Sequence, residues 1–320
     1  MHPRRPPPVS PRRLLPGETI GVFAPSSPQR DDDRLRSGIA YLRTQGYNVV
    51  EGDHLWDRNG YLAGTDAARA RDLNSMLANP EVRMIVAARG GYGATRILPM
   101  IDYAALQRDP KIVVGFSDVT AITLAFLARA NVVTFSGAMP GVDFWMSNGP
   151  DPFAESAFWQ SVTSPLAAGR LRTADGGAFA PLYAGVAVGR LIAANLTLLC
   201  ALIGTPYIPD LAGSILLIEE IGEEAYRVDR LLCQLSNAGI LDKVGGIALG
   251  AFTGTEPTRV SVDSLPIEDV FQHYLNRAGV PAIGNVPYGH IAGKLTIPVG
   301  AMVELDGSAG QLVVVQSGVC

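Results

Sequence analysis

Ser117 stands in Val113-Val114-Gly115-Phe116-Ser117-Asp118-Val119-Thr120-Ala121-Ile122, where two β-branched residues run into Gly-Phe-Ser-Asp and an apolar helical segment follows. A strand that delivers one serine onto a tight turn above a helix start is the pattern of a nucleophile elbow. Such a turn exposes the hydroxyl and aims the N–H groups of a helix N-terminus toward it. The hydroxyl becomes a working nucleophile only when a base and an oxyanion site are within reach. The second glycine of G-x-S-x-G is absent, since Val119 stands there, and Ser and Asp are also ordinary helix N-caps. Locally, an elbow and a plain cap both fit.

A base for Ser117 must come from four histidines. His2 lies in the N-terminal tail, His54 in a polar loop and His273 within a helical stretch. His290 follows Val286-Pro287-Tyr288-Gly289, a turn-rich loop after a strand, where both a solvated and a catalytic histidine fit. An acid is also needed to orient the imidazole. Ile215-Leu216-Leu217-Ile218 reads as a buried strand ending in Glu219-Glu220, which offers either a solvated strand end or a placed carboxylate.

The elements that must position these groups alternate. Strand-like runs at 19–23, 47–50, 84–88, 112–114 and 131–135 are separated by helical spacing over 32–45, 66–78 and 119–130. That alternation predicts a doubly wound parallel α/β sheet with helices on both faces. Ligands of such sheets sit at the carboxyl ends of the strands. Ser26, the Arg89-Gly90-Gly91-Tyr92-Gly93 loop and Ser117 all fall at such ends. Residues 1–17 read as a disordered Pro/Arg-rich tail, 18–141 as the nucleophile domain and 142–183 as an interdomain connector. Residues 184–320 read as a smaller mixed α/β domain carrying the acid and the histidine, with the active site between the two domains.

Composition narrows the class. The chain has 320 residues, is 48% hydrophobic and carries a net charge of −4, which suits a compact enzyme and does not point to nucleic acid or an anionic membrane. Cys200, Cys233 and Cys320 are scattered, with no C-x-x-C and no metal-ligand spacing, so a reducing compartment and no metal are expected. No signal-peptide core and no membrane-length apolar run are visible. A soluble cytoplasmic protein is the expectation.

Five ordered blocks resemble the serine LD-carboxypeptidases, the LdcA-like and MccF-like peptidases. They are Gly17-Glu18-Thr19-Ile20 through Ala24-Pro25-Ser26; Arg89-Gly90-Gly91-Tyr92-Gly93-Ala94; Gly115-Phe116-Ser117-Asp118; Gly204-Thr205-Pro206-Tyr207 with Leu217-Ile218-Glu219-Glu220 and Tyr226-Arg227-Val228-Asp229-Arg230; and Pro287-Tyr288-Gly289-His290 with Pro298-Val299-Gly300. The resemblance implies a flavodoxin-like first domain and a Ser-His-Glu triad of Ser117, His290 and Glu219. It further implies a homodimer and release of the terminal D-alanine from L,D-linked murein tetrapeptides during wall recycling, with no cofactor. Where the family often has Gly-Gly-Asn-Leu, this chain has Ala193-Ala194-Asn195-Leu196, and Glu220 replaces a usual Asp.

On this reading the Asp118 and Gly93 backbone N–H groups hold the oxyanion, and the Asp118 side chain caps its helix. Arg89, Arg230 and Ser26 are the candidates for binding substrate, the arginines because a guanidinium suits a free carboxylate. Two alternatives remain. One is cleavage of peptidyl-nucleotide conjugates of the microcin C type, with Trp145 or Trp159 as a stacking platform. The other is a non-catalytic small-ligand binder.

Overall fold

The computed structural model describes residues 6–145, 149–257 and 264–320. The first sheet is built from β1 (Thr19–Phe23), β2 (Asn48–Glu51), β3 (Val82–Ala87), β4 (Ile112–Gly115) and β5 (Thr134–Ser136), all parallel, in the order β5-β4-β3-β1-β2. β4, and β3 apart from the half-buried Arg83, are apolar and buried on both faces, as strands covered by helices on each side must be. The covering helices are α1 (Asp32–Thr44), α2 (Asp66–Ala78), the single turn α3 (Ala94–Ile97), α4 (Tyr103–Arg108) and α5 (Thr120–Ala130). Asp31 and Thr65 cap α1 and α2 by accepting from Asp33 N–H and Ala68 N–H. The strand expected from Asn131 starts only at Thr134, because Asn131 closes α5 in the left-handed region at φ 55°.

The order reverses between β1 and β3, so the crevice of a doubly wound sheet opens above their carboxyl ends. The loops 24–27 and 88–93 leave the sheet there, and Ser117 follows β4 next door.

The second unit comprises α6 (Pro152–Thr163), β6 (Gly169–Arg170), β7 (Ala180–Tyr183), β8 (Val186–Asn195), α7 (Leu196–Ala201), β9 (Ile215–Ile221), α8 (Ala225–Asn237), β10 (Gly246–Thr253), α9 (Ile267–Ala278), β11 (Ala282–Gly284), β12 (Ile297–Val299), β13 (Met302–Asp306) and β14 (Gln311–Val314). Its sheet runs β6-β14-β13-β8-β9-β10-β11-β7, with β8 to β11 parallel and the flanking strands antiparallel. The domain expected to be smaller therefore carries the wider sheet.

Three expectations about organisation change. The stretch 142–183 is not a bare connector, since α6, β6 and β7 lie in it and β6 and β7 form both edges of the second sheet. β12 leaves the second unit and pairs antiparallel with β5, Ile297 opposite Ser136, so the first sheet is completed by late residues. The tail is seated from Pro6 onward rather than disordered. Val9 N–H donates to Asn131 O, Val133 N–H donates to Val9 O, and Leu14 is 1% exposed. An extended proline-rich segment can still pair where its free N–H groups fall, and Val9 and Leu14 supply the contacts. Among the described residues, no helix is long and apolar enough to cross a membrane.

Candidate active site

Ser117 occupies φ 63°, a left-handed conformation that a serine adopts only when its surroundings hold it there. Glycines make the turn possible. A Cβ on Gly115 would stand 2.2 Å from Val119 Cγ1, and one on Gly90 would stand 2.9 Å from Ser117 Cβ. Ser117 and Asp118 open a 3-10 turn that runs into α5, so their N–H groups have no acceptor inside the helix.

His290 Nε2 lies 3.0 Å from Ser117 Oγ, and His290 Nδ1 lies 2.7 Å from Glu219 Oε2. An ionised carboxylate only accepts, so it sets the neutral imidazole with its proton on Nδ1 and Nε2 free to accept from the hydroxyl. The His290 ring also packs on Phe116 at 4.8 Å. The other described histidines are elsewhere: His54 pairs with Asp57, and His273 meets the edge of Tyr274.

Glu219 lies in β9 and is fully buried. Asn195, at the end of neighbouring β8, donates through Nδ2 to Glu219 Oε1 at 3.1 Å and to Glu220 Oε1 at 2.8 Å. Glu220 also accepts from the N–H groups of Thr197 and Ile221. Two adjacent buried carboxylates are thus tolerated because one amide and two backbone donors serve them. Burial, with Glu219 nearby, pushes the Tyr288 hydroxyl well above the ordinary tyrosine value, so it stays protonated beside Ser136.

The expected roles of Asp118, Ser26 and Gly93 need correction. The Asp118 carboxylate does not cap its own helix. It accepts from Ser26 Oγ at 2.6 Å and from Ala94 N–H at 2.8 Å, both through Oδ2. Burial pushes this carboxyl upward, opposed by those donors and the nearby Arg69 charge. Ser26 is fully buried and committed to Asp118, so it does not reach substrate. Gly90 and Gly91 border the cavity beside Ser117, and Gly93 lies outside that lining.

That cavity, of about 580 Å³, opens beside Ser117 and His290 and is bordered by Arg30, Arg89, Asp143, Asp151 and Lys294. Arg89 is half-buried and donates to the carbonyls of Gly90 and Pro28. Burial first, and then the charge of Arg30, push its pKa down, so an anion at this place would relieve both guanidiniums. Lys294 and Asp143 form a buried pair at 2.8 Å with the ammonium 4.8 Å from the Phe116 ring centre. Sequence reasoning missed Arg30, Asp143, Asp151, Lys294 and the role of Asn195. The available signal was a lysine just before an apolar strand, and an asparagine between a buried strand and a helix.

Arg230 does not join the site. It is exposed on α8, 5.3 Å from the Tyr226 ring centre, in a separate surface groove. Neither tryptophan expected as a platform borders the cavity. Trp145 lies under Arg34 at 3.9 Å, and Trp159 stacks on Tyr47 at 5.2 Å. Among the described residues, no group of three His, Cys, Asp or Glu could hold a metal ion.

A Ser-His-carboxylate relay on a strained strand-to-helix turn, beside a cavity with two guanidiniums, is an arrangement suited to acyl transfer. Comparison with known proteins agrees. The family model of the LD-carboxypeptidase N-terminal domain matches residues 20–137, and that of the LD-carboxypeptidase C-terminal domain matches residues 188–305. This chain belongs to the LD-carboxypeptidase family.

A Bacillus subtilis protein named probable murein peptide carboxypeptidase is 34% identical over 309 residues, spanning 97% of this chain and 95% of that protein. The crystal structure of muramoyltetrapeptide carboxypeptidase from Oxalobacter formigenes superposes with a TM-score of 0.82 at 32% identity, over 92% of this chain and 97% of that one. The microcin C7 self-immunity protein MccF shares the fold, with a TM-score of 0.87 over 98% of this chain and 100% of that one, at 24% identity.

Proposed function

We propose that this chain is a serine LD-carboxypeptidase that removes the terminal D-alanine from an L,D-linked murein tetrapeptide through an acyl-enzyme. The continuous relay from Glu219 through His290 to Ser117 carries this reading. Ser117 Oγ attacks the carbonyl carbon of the L,D bond while its proton passes to His290 Nε2. Glu219 stabilises the imidazolium that forms. The oxyanion receives the Asp118 N–H and an N–H of the Gly90–Gly91 segment, and losing one such donor typically costs about 3 kcal/mol. Collapse breaks the C–N bond as His290 returns the proton to the departing D-alanine nitrogen. Water, deprotonated by His290, then attacks the acyl carbon and frees Ser117.

The leaving residue ends in a carboxylate, and Arg89 with Arg30 at the cavity wall suits it. The reading includes work in the cytoplasm on recycled wall peptides, and a homodimer. Relatives named for murein peptides and muramoyltetrapeptide support the substrate class. The position of Trp145 and Trp159 away from the cavity removes the feature that would have favoured nucleotide conjugates.

A substrate panel tests the assignment. Purified protein should release D-alanine from an L,D-tetrapeptide and leave both a D,D-pentapeptide and a peptidyl-nucleotide conjugate intact. Preferential cleavage of the conjugate would overturn the murein assignment while retaining the triad.

A further inference from the structure

Behind the glycine loop bordering Ser117 lies a buried polar cluster that none of the acyl-transfer steps uses. The Asp118 carboxylate, 3% exposed, accepts from Ser26 Oγ and from the Ala94 N–H. From the other side the buried Arg69 guanidinium donates to the carbonyls of Pro25 and Gly93. Gly93 is therefore held at its C=O, next to the Ala94 N–H that the carboxylate takes. Its φ of 116° is strained for any residue with a side chain, which keeps the position glycine. Ser27 Oγ adds a third tie by accepting from Tyr92 N–H at 3.1 Å.

Resting on the acyl-transfer reading above, we propose that the Asp118 carboxylate is a positioning group for the oxyanion site. The main chain of Asp118 supplies one oxyanion donor next to Ser117. Its side chain fastens Ala94, beside the Gly93 carbonyl that Arg69 holds, and so fixes the Gly90–Gly91 segment that supplies the other. One residue sets the distance between the two halves of the site. Ser26 Oγ and the Ala94 N–H both donate to Oδ2, and the charge of the carboxylate lies near that of Arg69. An asparagine of equal size can keep its one oxygen there but carries no charge, so both hydrogen bonds lose their charge assistance. The weaker ties loosen the loop by a fraction of an ångström. That spares ground-state binding and penalises the tetrahedral state, whose charge depends on preorganised donors.

A merely structural cross-link would lower stability and substrate binding together. The test compares wild type, Asp118→Asn and Ser26→Ala by three readouts: melting temperature, kcat and KM for D-alanine release, and the rate at which a fluorophosphonate probe phosphonylates Ser117. For Asp118→Asn, kcat and phosphonylation should fall in parallel by about 10²-fold, with KM within about twofold of wild type. Ser26→Ala, which removes one donor, should show the same pattern with a fall of about tenfold or less. A folded Asp118→Asn with wild-type kcat and phosphonylation overturns the proposal, as does a raised KM at unchanged kcat. If Asp118→Asn does not fold, Ser26→Ala decides alone by the same criteria. If the wild type releases no D-alanine, the substrate assignment fails, and the phosphonylation ratio still decides the positioning role.

Discussion

His290 and Ser117, 173 residues apart in the chain, meet at 3.0 Å across the junction of two sheets. The meeting is built rather than incidental. β12 leaves the second unit shortly after His290 to pair with β5, which adjoins the strand that delivers Ser117. Gly250 lets Tyr288 approach β10 so closely that a Cβ there would stand 2.3 Å from Tyr288 O. The loop carrying His290 is thus fastened to both sheets, and the relay needs no domain closure to form.

Gly90→Ala tests how tightly the nucleophile is confined. The added Cβ would meet Ser117 Cβ at 2.9 Å and Phe116 O at 3.1 Å, both at groups that cannot swing away. Turnover should drop by about 10²-fold or more, while overpacking costs stability only about 1–3 kcal/mol. Steady-state kinetics beside a thermal melt will separate the two effects.

Arg89→Met tests carboxylate recognition. A hydrogen bond to a charged group is worth about 1.5–3 kcal/mol, so KM for a free-acid tetrapeptide should rise on the order of 10- to 100-fold. kcat should change little. A substrate ending in D-alaninamide should not distinguish the variant from wild type. An equal loss on both substrates would place the role of Arg89 in holding the loop, through Gly90 O and Pro28 O.

Asn195→Ala removes the amide shared by Glu219 and Glu220 and the acceptor that caps α7 at Leu198 N–H. Losing the cap and leaving buried carboxylates short of a donor should together cost about 2–3 kcal/mol of stability. With the acid behind His290 less well held, kcat should fall roughly tenfold, one step of about 1.4 kcal/mol. Denaturant melts and kinetics on the same preparation check both.

Asp66 gives the fold an acid-range signature. Hydrogen bonds from Arg96, and then from Arg69, hold its carboxyl below the ordinary value. A carboxylate whose pKa is lower folded than unfolded adds stability that is complete above the unfolded value, about 4, and is lost as pH falls through the folded one. Asp66→Asn should lower stability near neutrality by about 1 kcal/mol or less, because solvent screens the partly exposed pair. The gap between variant and wild type should close as pH falls below about 4. A gap that is constant from neutral to strongly acid pH would show that the ion pair contributes nothing.

The parts of this site legible in the sequence are those with a local signal. Ser117 sits in a strand-turn-helix pattern, Glu219 directly follows the apolar run 215–218 and His290 follows a turn, so the ordered blocks sufficed to nominate all three. What stayed hidden depends on pairing across the chain. Ser26 and Asp118 are 92 residues apart, and nothing near either announces that the hydroxyl serves the carboxylate. Arg230 was legible as an arginine in a family-like block, but the apolar stripe Val228, Leu232 and Leu235 faces the core and turns Arg230 to solvent. The tail reads as disordered by composition because two well-placed residues, Val9 and Leu14, outweigh its prolines only once the sheet edge exists.

The central claim is that Ser117 is the nucleophile of an LD-carboxypeptidase. Its most direct test is free D-alanine released from a purified L,D-tetrapeptide by wild type and Ser117→Ala side by side. Wild type should release D-alanine, and a folded Ser117→Ala protein should do so about 10⁴-fold more slowly or not at all. Equal release by both would contradict the claim.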